Sequence, residues 1–233
     1  MKQLALDIGL ASGPTLARFF PGGNEAVLQH LRLWVGHGNQ AGSSRSPVPT
    51  YLWGVAGSGK SHLLKAVREA LREQGALVGW LDPDSTDLPD FDERWAAVLM
   101  DDVHLFSTPQ QAVAFNWFVN ATSPASGTPR WVLAAGELPP ADLPLRDDLR
   151  SRLGWGHVFQ LQPLDETERR AVLRQEADAR GVFLGDDVMD YMLNRFSRDL
   201  GSLMQLLDQL DAFALRTQRA ITIPLLKTML ESE

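Results

Sequence analysis

The run Gly54-Val55-Ala56-Gly57-Ser58-Gly59-Lys60-Ser61 has the composition and spacing of a phosphate cradle. Its glycines let successive backbone N–H groups turn inward on phosphate oxygens, while Lys60 brings a point charge to the β- and γ-phosphates and the Ser61 hydroxyl can ligate Mg2+. The nucleotide-binding residues read from this run are Gly54, Gly57, Ser58, Gly59, Lys60, Ser61 and His62, and the ligand is ADP or ATP with Mg2+. A second piece lies downstream, where the apolar stretch Val98-Leu99-Met100 delivers Asp101 and Asp102 to the end of a strand. Beside a phosphate cradle, Asp101 is expected to hold the metal together with Ser61, and Asp102 to orient an attacking water. Asp102 is one methylene shorter than the glutamate often found in that role.

These groups need elements that hold them together. Thr50-Tyr51-Leu52-Trp53 reads as a strand entering the glycine loop, and His62 to Gln74 as the helix leaving it, closed by Gly75. Further strand candidates are Leu77 to Leu81, Ala96 to Met100 and Arg130 to Ala135, with helices between them. Continuous apolar runs alternating with helices predict a doubly wound α/β domain, a parallel sheet with helices on both faces. Asn24 is the expected N-cap of a helix reaching Val35, and the Gly-, Ser- and Pro-rich stretch 36–49 is expected to be a surface loop. From Pro163 onward apolar residues recur only at helical spacing. Asp165 with Glu168 reads as a capping box, Gly181 as a stop, and Asp186 or Asp187 as a restart. Leu200, Leu203, Met204, Leu207 and Leu210 make one stripe, and Thr222-Ile223-Pro224 opens a last helix. The expected organisation is a short N-terminal segment over 1–13, a P-loop domain over 14–162 and a small all-helical lid over 163–233.

Composition excludes several classes. The chain has 233 residues, a formal charge of −7 and no cysteine, so broad phosphate-backbone binding, disulfides and thiolate metal sites are set aside. No apolar run reaches the roughly 20 residues of a membrane helix. Asp7 interrupts what a signal peptide would continue, so a cytoplasmic location is expected. His62 and His104 lack metal-ligand spacing and receive no catalytic role, and Trp155 is expected to pack the hinge before the lid.

Taken with the cradle and the acids, Leu149-Arg150-Ser151-Arg152-Leu153-Gly154-Trp155-Gly156-His157 resembles the arginine-bearing box of AAA+ proteins of the DnaA initiator class. The resemblance implies an AAA+ fold with a helical lid, and it casts Arg152 as an arginine finger reaching a neighbouring subunit's γ-phosphate, with Arg150 next in line. A surface salt bridge is the bland alternative. Leu207-Asp208-Gln209-Leu210-Asp211 and Thr217-Gln218-Arg219-Ala220-Ile221-Thr222-Ile223-Pro224 are similar to the Hda family of regulatory inactivators of DnaA. DnaA carries a DNA-binding domain after this region, whereas here the sequence stops at Glu233. Gln3-Leu4-Ala5-Leu6-Asp7-Ile8 resembles the family's peptide for the DNA polymerase III beta sliding clamp, with Gln3, Leu4, Leu6 and Ile8 as its contacts. The implied partners are DnaA and the clamp, with DNA met only through the clamp, no membrane, and self-association left open. Thr15 to Gly22 resembles the adenine-side segment, leaving Phe19 and Phe20 between base contact and packing.

Two departures qualify the resemblance. The polar sensor expected at the end of the third core strand falls at Ala134, Ala135 and Gly136, and the lid's sensor arginine falls at Gly201, with Arg195 and Arg198 out of register. Without either group, transition-state charge lacks stabilisation, and slow or absent intrinsic turnover is expected. The competing readings are an autonomous AAA+ ATPase such as a helicase loader, and a scaffold in which nucleotide only holds the fold together.

Overall fold

The computed structural model describes residues 13–36, 48–124, 127, 129–196 and 200–231. Five strands form one sheet: β1 (Thr50–Trp53), β2 (Leu77–Leu81), β3 (Trp95–Met100), β4 (Trp131–Gly136) and β5 (His157–Gln160). All pairings are parallel and the order is β2-β3-β4-β1-β5. Every strand therefore ends on the same edge, which places the glycine loop after β1, Asp101 after β3 and Gly136 at the end of β4 along one rim.

Four helices cover the two faces of the sheet: α1 (Glu25–Gly36), α2 (Lys60–Glu73), α3 (Thr108–Thr122) and α4 (Asp147–Leu153). Alternate strand residues feed two cores. Leu52, Ala97, Leu99, Leu133 and Ala135 pack with α1 and α2, while Tyr51, Val98, Met100, Val132 and Ala134 pack with α3 and α4. That two-residue alternation, buried on both sides, is why the strands read as unbroken apolar runs. On the first face the rings of Trp34 and Trp131 stack 3.5 Å apart. His30 is also there, with Nε2 3.0 Å from Thr50 Oγ1 and its ring 4.8 Å from that of His157. Burial, and the nearby His157, lower the His30 pKa from its ordinary value.

Three local expectations are corrected. Asn24 does not cap α1: it is buried, its Nδ2 donates to the Gln162 carbonyl at 2.9 Å, and its Oδ1 accepts from the Gln162 N–H at 2.8 Å. A short 3-10 turn over Gly22–Asn24 leads into the helix instead. Trp155 is 67% exposed and not packed. α2 begins two residues before the expected start, at Lys60.

A second compact unit runs from Pro163 and also takes in Ala56–Ser58 of the glycine loop. It holds α5 (Glu166–Ala179), α6 (Asp186–Arg195), α7 (Leu200–Thr217) and α8 (Ile223–Glu231). Leu173, Val188, Met192, Leu203, Leu207, Leu210 and Leu226 lie in its core. The Asp165–Glu168 capping box forms with hydrogen bonds of 2.8 and 2.9 Å, and Gly181 adopts φ +69° at the end of α5, where a left-handed residue closes the turn. Arg170 bridges to Asp190 and Arg174 to Asp186, joining α5 to α6. Among the described residues, no helix is long and apolar enough to cross a membrane.

Candidate functional site

The glycine loop adopts the conformations its composition allows. Gly54, Gly57 and Gly59 have φ of 156°, 76° and 97°, and the latter two lie where side-chain-bearing residues are strained. Among the described residues the buried Ser58 hydroxyl has no partner, and Ala56 and Gly57 beside it are exposed. A buried hydroxyl left open in a glycine-rich loop before a helix N-terminus is suited to an anion. Lys60 is buried, and its Nζ donates to the carbonyls of Gly54 at 2.8 Å and Val55 at 3.0 Å. Burial lowers its pKa from the ordinary lysine value, and the carboxylates of Asp102, Asp101 and Glu137 oppose that shift.

Asp101 is brought near Ser61, whose hydroxyl favours its charged carboxylate. Desolvation raises the Asp101 pKa, the Ser61 hydroxyl works against the rise, and the charge of Asp102 adds to it. A hydroxyl and a carboxylate side by side are hard oxygen donors, the type Mg2+ takes when phosphates and water complete its shell. Asp102 holds a left-handed conformation (φ 47°, ψ 44°), and its N–H donates to Asp101 Oδ1 at 3.1 Å.

The N-terminal side of the site is closed by packing. A Cβ on Gly59 would meet Phe19 Cε2 at 2.7 Å, the Phe19 ring lies 5.7 Å from that of His62, and His62 Nε2 is 3.3 Å from the Thr15 carbonyl. Phe19 thus packs on the first turn of α2, and His62 faces the chain segment before it.

Sequence reasoning missed Glu137. It follows Gly136 at the end of β4, contributes to the field on Lys60, and lies 3.5 Å from His104 Nε2. The His104 Nδ1 is buried without a partner. No sequence signal marks this pair, because β4 and the turn after β3 meet only through the sheet order. At the sensor position itself, Ala134 and Ala135 are buried in the two cores and Gly136 has no side chain. Gly201 is an exposed residue of α7.

Arg152 and Arg150 share α4 but differ in their partners. Arg150 pairs with Asp147 at 2.6 Å. The Arg152 guanidinium lies 5.0 Å from the centre of the Phe115 ring on α3 and has no ion pair among the described residues. Arg146 reaches the same ring at 5.1 Å but is bound to Asp148. The salt-bridge alternative therefore describes Arg150 and not Arg152. Gln3, Leu4, Leu6 and Ile8, and Arg198, lie outside the described residues.

Residues 165–230 match the family described as Hda, lid domain. The matched stretch falls within the C-terminal helical unit. The whole chain is similar to domain III of the replication initiation protein DnaA from Thermotoga maritima, at 19% identity and TM-score 0.69, covering 99% of this chain and 98% of that one. It is also similar to AMPPCP-bound DnaA from Aquifex aeolicus, at 20% identity and TM-score 0.61, over 83% of this chain and 64% of that one. A RuvB variant from Thermotoga maritima matches at 16% identity and TM-score 0.62, over 94% and 72%. At these identities the likeness concerns the fold: an α/β domain with a parallel sheet, followed here by a helical region that matches the Hda lid model.

Proposed function

We propose that this chain is a nucleotide-binding negative regulator of replication initiation. With the DNA-loaded sliding clamp, it promotes hydrolysis of ATP held by DnaA. In this reading the glycine loop and Lys60 bind ADP or ATP, Ser61 and Asp101 hold Mg2+, and Gln3, Leu4, Leu6 and Ile8 meet the clamp. The nucleotide undergoing hydrolysis belongs to DnaA, and this chain adds Arg152.

The observation that carries the reading is the state of Arg152. Its guanidinium is held over Phe115 with no acid paired to it among the described residues, while Arg150 and Arg146 beside it are paired. A guanidinium kept free of carboxylates can neutralise charge on a transferring phosphoryl group, and arginine fingers contribute about 10^3 to 10^5 in rate. The Hda-type lid and DnaA-like fold support a DnaA-related regulator. The absence of a sensor side chain at Ala135, Gly136 and Gly201 supports a trans role over self-sufficient turnover.

The test is ATP hydrolysis by DnaA, with and without DNA-loaded clamp, in the presence of this protein or its Arg152→Ala and Gln3→Ala variants. Stimulation that needs the clamp, Gln3 and Arg152 together supports the proposal. Unchanged stimulation with folded Arg152→Ala rejects it. The second reading, an autonomous ATPase, draws on the nearness of Ser61 to Asp101 and the buried Lys60. It requires basal turnover that disappears in Lys60→Ala.

A further inference from the structure

We infer that Trp155 is the anchor on which a partner subunit docks when it presents a nucleoside triphosphate to Arg152. This rests on the trans-arginine reading above and adds a residue that sets affinity, where Arg152 sets rate.

Three observations meet at this point. First, Trp34, Trp117 and Trp131 are buried, but the Trp155 indole is 67% exposed, a large apolar surface left in water next to an arginine of functional interest. Second, the backbone under it is fixed. Gly154 continues the helical conformation (φ −83°, ψ −1°), and the Trp155 N–H donates to the Arg152 carbonyl at 3.0 Å. A Cβ on Gly156 would collide with the Pro49 carbonyl, which instead accepts the His157 N–H at 2.8 Å. The indole is therefore carried on a turn whose backbone is held from both sides, and little backbone ordering is left for binding to impose. Third, Trp155 stands one turn beyond Arg152, which has no ion pair among the described residues.

Exposed tryptophan and arginine are the residue types that dominate binding energy at protein interfaces. The two make different demands on an occupant. The guanidinium calls for an anion, and the indole calls for an apolar pocket larger than a nucleotide phosphate offers. A protein subunit that displays its nucleotide's phosphates at its own surface meets both. Such a subunit is also the complement in charge at this point, because Arg146 and Arg150 are paired with Asp148 and Asp147 while Arg152 has no ion pair among the described residues.

The experiment titrates this protein against ATP-loaded DnaA on DNA-loaded clamp and reads single-turnover hydrolysis. Trp155→Ala is expected to raise the concentration for half-maximal stimulation by about 30-fold, as loss of a hot-spot aromatic does, with the saturating rate unchanged. Trp155→Phe is expected to recover most of that loss. Arg152→Ala should do the reverse, lowering the saturating rate with little change in half-saturation. In parallel, acrylamide quenching of tryptophan fluorescence should fall on adding partner for the parent protein but not for Trp155→Phe. Half-saturation unmoved by Trp155→Ala, or no protection from quenching, overturns the inference and leaves the arginine reading standing. The same holds if Trp155→Ala abolishes self-association in sedimentation while DnaA half-saturation stays put, which would make the occupant a second copy. Stimulation intact in Arg152→Ala, or absent in the parent, rejects the arginine reading and this inference with it.

Discussion

The Tyr51 hydroxyl occupies the space where a side chain on Gly136 would begin. The hydroxyl donates to the Leu138 carbonyl at 2.8 Å, and a Cβ at 136 would also meet Val103 Cγ2 at 3.2 Å. The missing polar group at the end of β4 therefore reflects packing as much as substitution: a neighbouring strand fills the position from which a sensor would reach. Gly136→Ala is expected to destabilise the protein by about 1–3 kcal/mol, as overpacking does. In a Tyr51→Phe background the cost should shrink. Urea unfolding of the four proteins of this cycle checks it, and additive effects would show that the two residues do not compete.

Phe115 keeps Arg152 in place. An exposed cation–π contact contributes about 0.5–1 kcal/mol. On the proposed function, Phe115→Leu should therefore reduce the Arg152-dependent stimulation of DnaA by roughly 2- to 5-fold, with Phe115→Tyr close to the parent. Circular dichroism confirms the fold while single-turnover kinetics read the loss.

His30 links stability to pH. Its folded pKa lies below the ordinary value of 6.5 through burial and the charge of His157. The folded state thus favours the neutral ring, and its contribution is present above pH 6.5 and lost as pH falls through the lowered folded value. Thermal melts between about pH 7.5 and 5 should show the parent losing stability on acidification. His30→Gln, which can still meet Thr50 Oγ1, should lose less; equal losses would place the titration elsewhere.

Asn24 ties α1 to the end of β5 through both of its amide atoms. Asn24→Ala leaves the Gln162 N–H and carbonyl without those partners and should cost about 1–3 kcal/mol. Asn24→Asp keeps the acceptor and loses the donor, so its loss should fall between. Denaturation midpoints at constant m-value decide the order.

What could be read from the sequence was what is local. Glycine loop, Walker-type acids and capping box are each chemistry within a few residues, and β1 to β4 are apolar because both faces of the sheet are covered. β5 was missed because His157, Val158 and Gln160 are exposed and carry no burial pattern; that strand exists through its pairing with β1. Asn24 looked like a cap because a side-chain amide before a helix has that local use, and its actual partner is 138 residues away in sequence. Glu137 and Phe115 gain meaning only from strand order and helix packing. Trp155 was misplaced by the usual rule that large aromatics bury.

The order of the strands also has a consequence for how the chain is made. β1, the strand that ends in the phosphate loop, is fourth in a row whose order is β2-β3-β4-β1-β5, and both its neighbours are the last strands to be synthesised. A nascent chain leaving the ribosome therefore carries Thr50–Trp53 unpaired through the synthesis of β2 and β3, and pairing that spans so much chain is slow to form. The loop cannot be fixed for nucleotide until β4 and β5 have emerged, so a truncated or stalled chain exposes an apolar strand edge and has no ligand able to rescue it.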